Sequence, residues 1–340
     1  MNKLQGLQYG TPQTVGIMTV IPLIGEDVST PLGSIEDIQF VGTSNYGTME
    51  FTNSSKLPVI IPNGYTVLTK QSAQDHSLPF AVVSKPGFNR YTNACCVEQT
   101  QPGMIDGEKV KGFNLLPLSI RKEHFKQYIY GQKVNSYGVR SIEFSRLWDV
   151  ISSFQSKLVG KHEAHLVYFF TKFVDELNRF NAEFEVVEKQ RGAIIMLLDH
   201  VVGIEVLPSH KDWQAVWHKL IRDSYGSEIV RLTQLNLVKT FESKQQNTMD
   251  LSMCNSLEQI EAKLLEKEKQ KIETASSQVS KIFNNKQLKH SHYETLKMEK
   301  EPIQGIQYSL TSCDDASYFF EEYHTNTEIL YLSVLSNSIK

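Results

Sequence analysis

The stretch Ala193-Ile194-Ile195-Met196-Leu197-Leu198-Asp199-His200-Val201-Val202-Gly203-Ile204-Glu205-Val206-Leu207 decides the fold. Two nearly continuous apolar runs, 193–198 and 201–207, flank the polar dipeptide Asp199-His200. A strand with one wet face alternates apolar and polar residues, so unbroken runs predict a hairpin of central strands covered on both faces. The stretch is the most apolar in the chain, yet Asp199-His200 interrupts it and Glu205 lies inside it. It falls short of the run of about 20 apolar residues that a membrane span needs, so no membrane association is expected.

Helical periodicity brackets the hairpin. Phe144, Leu147, Trp148, Ile151 and Leu158 share one helical face, and Leu166, Phe169, Phe170, Phe173, Leu177 and Phe180 share another. After Pro208 a third stripe runs through Trp213, Val216, Trp217, Leu220 and Ile221. Aromatics at this spacing pack a core. Residues 14–119 read instead as mostly β, with one strand over 15–23 and short alternating runs at 40–42 and 48–52. Runs 58–61 and 65–68 flank Asn63-Gly64, which predicts a tight hairpin. Lys85-Pro86-Gly87 is a second turn signal between 78–83 and 91–98, and Asp106-Gly107 a third.

Residues 242–256 read as a polar linker, 257–273 as a solvated Glu/Lys-rich helix with a thin stripe of Leu257, Ile260 and Leu264, and 284–302 as polar and mobile. Strands return at 306–310, 318–320 and 329–335. They have no core of their own, so they are expected to pair back into the sheet. The expected class is α+β: an N-terminal antiparallel β layer, a central helix-hairpin-helix unit, and C-terminal strands returning to the sheet. Residues 1–241 would form the first part of one domain, 242–302 its linker and helix, and 303–340 its completion.

Composition agrees with a soluble globular protein. Of 340 residues 40% are hydrophobic and 21% charged, which excludes general disorder. Lys plus Arg is 35 against 38 Asp plus Glu, a net charge of -3. That balance gives no overall field for nucleic acid or anionic membrane. The 4 cysteines are too few and scattered for a disulfide framework, so a reducing, cytoplasmic setting is expected.

The densest polar cluster is Lys70-Gln71-Ser72-Ala73-Gln74-Asp75-His76, straight after a strand. Cys95-Cys96-Val97-Glu98 is the second. On a strand Cys96 and Glu98 share a face, and a carboxylate beside a thiol disfavours the thiolate unless a cation such as Lys70 or Arg121 intervenes. Lys70, Gln71, Asp75 and Arg121 are therefore candidate ligand-binding residues, and Glu98 and His76 candidate acid–base groups. The stretch Arg121-Lys122-Glu123-His124-Phe125-Lys126-Gln127-Tyr128 contains an acid, lies near an expected helix start and reads as a surface turn, not a nucleic-acid face. His162 with His165, and His290 with His292, lack further ligands at metal-site spacing, so no metal site is expected. Glycine-rich phosphate loops and a G-x-S-x-G elbow are absent. These motifs leave the cofactor unknown.

Several stretches in order carry a family resemblance: Val20-Ile21-Pro22-Leu23, Lys70-Gln71, Cys96-Val97-Glu98, Arg191-Gly192-Ala193-Ile194, Val202-Gly203-Ile204-Glu205-Val206, Trp217-His218-Lys219-Leu220, Ser224-Tyr225-Gly226 and Ile329-Leu330-Tyr331-Leu332-Ser333. Together the chain resembles the ARG-and-rhodanese-phosphatase-superfamily-associated protein family. The sequence departs from the pattern at Gln74-Asp75-His76 and after Glu98, where Gln99-Thr100-Gln101-Pro102 stands. The family's genomic neighbours process ADP-ribose and phosphate esters. The resemblance thus implies binding or processing of a nucleotide-like or ADP-ribose-like phosphorylated small molecule. The alternative is a non-catalytic assembly protein that meets a protein partner through residues 242–302.

Overall fold

The apolar stretch forms a hairpin of Gln190–Leu197 against His200–Val206, with Leu198 at positive φ in its turn. A computed structural model describes residues 4, 6–42, 47–68, 75–99, 113–130, 133–134, 140–141, 145–160, 164–237, 254–284, 288–297, 302–311 and 317–337. The hairpin lies in the middle of the main antiparallel sheet. On one side Met18–Ile24 pairs with Gln190–Leu197, and Gln8–Tyr9 and Gln13–Val15 pair with Met18–Ile24. On the other side the order runs His200–Val206, Ile329–Ser336, Ser317–His324, Ile303–Thr311, Leu288–Leu296. The C-terminal strands do return, and Ile329–Ser336 joins the hairpin directly.

Both faces of the hairpin are covered. Ala193, Ile195 and Leu197 join the larger core, while Ile194, Met196, Val201, Ile204 and Val206 join a second cluster on the opposite face. The second cluster is closed by Ala275, Val279 and Ile282 of the long helix Leu257–Asn284. Against the larger core lie small N-terminal sheets and the helices Leu118–Tyr130, Ser145–Val159, Leu166–Lys172, Val174–Ala182, His210–Lys219 and Ser227–Gln234. Between the last two, Leu220–Gly226 is a π-helical segment.

Local departures from the expected pattern have physical causes. Residues 15–23 are not one strand, because Gly16 at φ +56 turns the chain between Gln13–Val15 and Met18–Ile24. Asn63-Gly64 does turn, with Gly64 at φ +72, but its flanks do not pair with each other. Val59–Ile61 pairs with Val82–Ser84, whereas Tyr65–Val67 pairs with His76–Ser77 and Asn114–Leu115. The turn carries the chain from one small sheet to another and delivers Asn63 to the interior. Asp106-Gly107 lies outside the described residues. The basic stretch from Arg121 is no surface turn. It lies in helix Leu118–Tyr130, with Arg121, Lys122 and His124 buried. Within 284–302, Leu288–Leu296 is a strand, since it has Ile303–Thr311 to pair with. The Glu/Lys-rich helix is not buried at any residue of 257–273, as expected, but it runs on to Asn284 and docks through Ala275, Val279 and Ile282.

Candidate functional site

The small sheet formed by Tyr65–Val67, His76–Ser77, Cys95–Cys96 and Asn114–Leu115 brings two of the polar clusters together. Cys96 lies opposite His76 in antiparallel register, so their side chains share a face. Glu98, two residues on from Cys96, forms an isolated antiparallel bridge with His165, just ahead of helix Leu166–Lys172. The backbone seals this corner: Val97 N donates to Asp75 O at 3.0 Å, and Gln99 N to Ala164 O at 2.7 Å. Asp75, His76, Cys96, Glu98 and His165 are all buried.

Glu98 is the centre of the group. Its Oε2 meets His165 Nδ1 at 2.7 Å, and its Oε1 accepts the Val167 N–H at 3.0 Å. Burial pushes the Glu98 carboxyl above its ordinary range, and the His165 and Val167 bonds act the other way. Engagement of Nδ1 by the carboxylate fixes the orientation of the His165 ring.

The neighbouring side chains have narrower parts. His76 Nε2 accepts the Gly47 N–H at 3.1 Å, so that lone pair holds the chain at Gly47. Cys96 Sγ donates to the Glu98 carbonyl at 3.0 Å. Its pKa is pushed up to about 11, chiefly by burial, with Glu98 and Asp75 adding to the shift. A thiol in that state is a poor nucleophile at neutral pH. Lys70 and Gln71 lie outside the described residues. Among the described residues no group of three or more His, Cys, Asp or Glu is arranged to hold a metal ion.

Arg121 belongs to a different group. Its Nη1 and Nη2 donate to the two oxygens of Glu205 at 2.6 and 3.1 Å, Nη2 also to Ser333 Oγ at 3.1 Å, and Nε to Asn63 Oδ1. Tyr225, from the π-helical segment, donates to Glu205 at 2.9 Å. Asn63 passes the network on to Glu321 at 2.9 Å, and Glu321 also accepts from Ala81 N and Gln307. Every member is buried. A bidentate, fully bonded pair of this kind satisfies both charges inside the core. Glu205, the acid within the strands of the apolar hairpin, is thus the counter-ion of Arg121. Burial pushes Glu321 up to about 7 against its three donors.

Sequence reasoning passed over His165 as an acid–base group, because its partner lies 67 positions away across a bridge that no local pattern encodes. Glu205 did carry a signal, since a carboxylate within an apolar strand needs a buried partner.

A family model described as the ARG and Rhodanese-Phosphatase-superfamily-associated Protein domain matches residues 6–305. No curated protein and no solved structure matches the chain.

Proposed function

The chain belongs to the ARG and Rhodanese-Phosphatase-superfamily-associated Protein family, and on that premise we propose that it binds or processes a nucleotide-like or ADP-ribose-like phosphorylated small molecule at the corner where Glu98 holds His165. The observation that carries this reading is the 2.7 Å Glu98–His165 pair, placed beside Asp75, His76 and Cys96. The pair would supply the acid–base group for hydrolysis or transfer at a phosphate or glycosidic centre. Lys70 and Gln71, in the segment that precedes Asp75, would meet the phosphate, with Lys70 acting as a point charge. The phosphorylated ligand class comes from the family's genomic company.

Thermal-shift titration of the full chain with ADP-ribose, NAD and ribose 5-phosphate tests the reading. A saturable rise with at least one compound is expected, abolished by Lys70→Ala and weakened by Glu98→Gln. No rise with any of the three removes it.

A second reading, a non-catalytic assembly protein, rests on Leu257, Leu264 and Leu265, which are exposed on the first half of helix Leu257–Asn284. A second copy of the chain could cover them. Light scattering over a concentration series would then show a dimer that Leu264→Glu with Leu265→Glu dissolves. A monomer at all concentrations rejects it.

A further inference from the structure

A cleft of about 860 Å³ opens where the chain after Met18–Ile24, the start of Gln190–Leu197 and the turn before Ile329–Ser336 converge. Its volume lies within the roughly 300–1,000 Å³ of small-molecule sites. None of its lining residues belongs to the Glu98 corner.

Arg191 lines this cleft and is only 8% exposed. Main-chain carbonyls hold its guanidinium: Nε donates to Leu207 O at 3.1 Å, Nη1 to Glu26 O at 2.8 Å and Nη2 to Ile329 O at 3.4 Å. Three of its five N–H donors are thereby committed. Among the described residues no carboxylate makes an ion pair with it, in contrast to Arg121. Burial lowers its pKa, and Asp27 and Glu328 oppose that from a distance. A largely buried guanidinium with uncommitted donors beside open space fits an oxyanion, because its planar fork matches carboxylate or phosphate.

The rest of the wall selects further. Glu328 is already satisfied, accepting from Ser29 N at 2.7 Å and from Thr30 N and Oγ1 at 3.1 and 2.9 Å. Asp27 is exposed and uses Oδ1 for the His210 N–H at 2.8 Å. Glu26, the third carboxylate of the wall, is paired with Lys189 at 2.7 Å; Asp27 and Glu328 disfavour a simple anion, and Arg191 disfavours a simple cation.

We propose that the Arg191 cleft is a binding site for a small zwitterion, whose oxyanion group sits on Arg191 and whose ammonium faces Asp27. The oxyanion is a carboxylate or a phosphate. Both chemistries suit the guanidinium, and the probes separate them.

Isothermal titration of the full chain with glycylglycine, phosphoethanolamine, N-acetylglycine and ethylamine provides the test. One or both of the first two should bind saturably, at least about tenfold tighter than either singly charged control. Whichever of the two binds more tightly identifies the oxyanion. Asp27→Asn, at an exposed position, should erase the preference for the zwitterion over N-acetylglycine. Arg191→Lys keeps the charge but not the fork, and should weaken the zwitterion by a similar factor with the fold verified by circular dichroism. No saturable binding by either zwitterion, or equal binding by the controls, or binding unchanged in Asp27→Asn, overturns the proposal. None of these outcomes bears on the Glu98 corner, which is read with different ligands and variants.

Discussion

His124 shows how a single buried residue ties stability to pH. It is fully enclosed in helix Leu118–Tyr130, and among the described residues neither ring nitrogen has a hydrogen-bond partner. Burial drives its pKa from 6.5 down to about 3. Between those values the unfolded chain binds a proton that the folded chain refuses, so this residue's contribution to stability falls as the pH drops below about 6.5. Glu321 acts with the opposite sign: its pKa is raised from 4.5 to about 7, so the folded chain binds the proton first and stability falls as pH rises through that window. His124→Phe should stabilise the protein by about 1–3 kcal/mol at pH 7, the cost of unsatisfied buried polar atoms. Urea unfolding should show a larger gain at pH 5, and an equal or smaller gain there would contradict the assignment. The thiols give a second check at this scale. The strand packs Cys96 at 0% exposure beside an equally buried Cys95. Brief iodoacetamide treatment at neutral pH should therefore spare both and modify the partly exposed Cys254, as peptide mapping can read.

At the scale of elements, the π-helical segment and the long helix explain how polar chemistry and apolar burial coexist. The segment Leu220–Gly226 turns Tyr225 toward Glu205 and Asp223 toward Asn114. Single π turns of this kind commonly mark places where a helix has been bent to a task. Tyr225 reaches Glu205 over Gly203, where an added Cβ would stand 1.8 Å from the Tyr225 hydroxyl oxygen. Gly203→Ala must displace that ring and break its bond. A loss of about 1–3 kcal/mol is expected from overpacking alone, and denaturant unfolding measures it. The long helix Leu257–Asn284 divides into two halves. Its second half buries Ala275, Val279 and Ile282 against the sheet, and Lys271 reaches Thr19 at 3.3 Å, while its first half leaves Leu257, Leu264 and Leu265 exposed. Val279→Asp should therefore cost several times more stability than Leu264→Glu, on the order of 3 against less than 1 kcal/mol. Equal costs would show that the first half is packed as firmly as the second.

At the scale of the whole molecule, the main sheet joins strands from distant parts of the sequence. Glu205 on the central hairpin is bonded to Arg121 from the helical half, and Arg121 in turn to Ser333 on a C-terminal strand. Asn63, from the N-terminal sheets, donates to Glu321. A protease site engineered between residues 242 and 253 should give two fragments that co-elute until denaturant is added. Free dissociation would contradict the continuous sheet. The sequence was most legible where burial imposes a simple pattern. The two nearly continuous apolar runs at 193–198 and 201–207 pointed to a central hairpin covered on both faces, and the core-spaced aromatics to the helices beside it. The orphaned apolar runs after the linker required strands that rejoin the sheet. These follow from local periodicity and from the need to bury apolar surface. The partners of the polar residues were not legible. Whether Asn63-Gly64 closes a hairpin or passes between sheets depends on which strands its flanks pair with, and whether Arg121 meets solvent or Glu205, and which ring Glu98 holds, depend on residues 84 and 67 positions apart. The chain by itself determined which residues had to be buried. Only the tertiary structure decided which charges and hydrogen-bonding groups were buried together, because that pairing depends on the register between distant strands and helices, which no local period records.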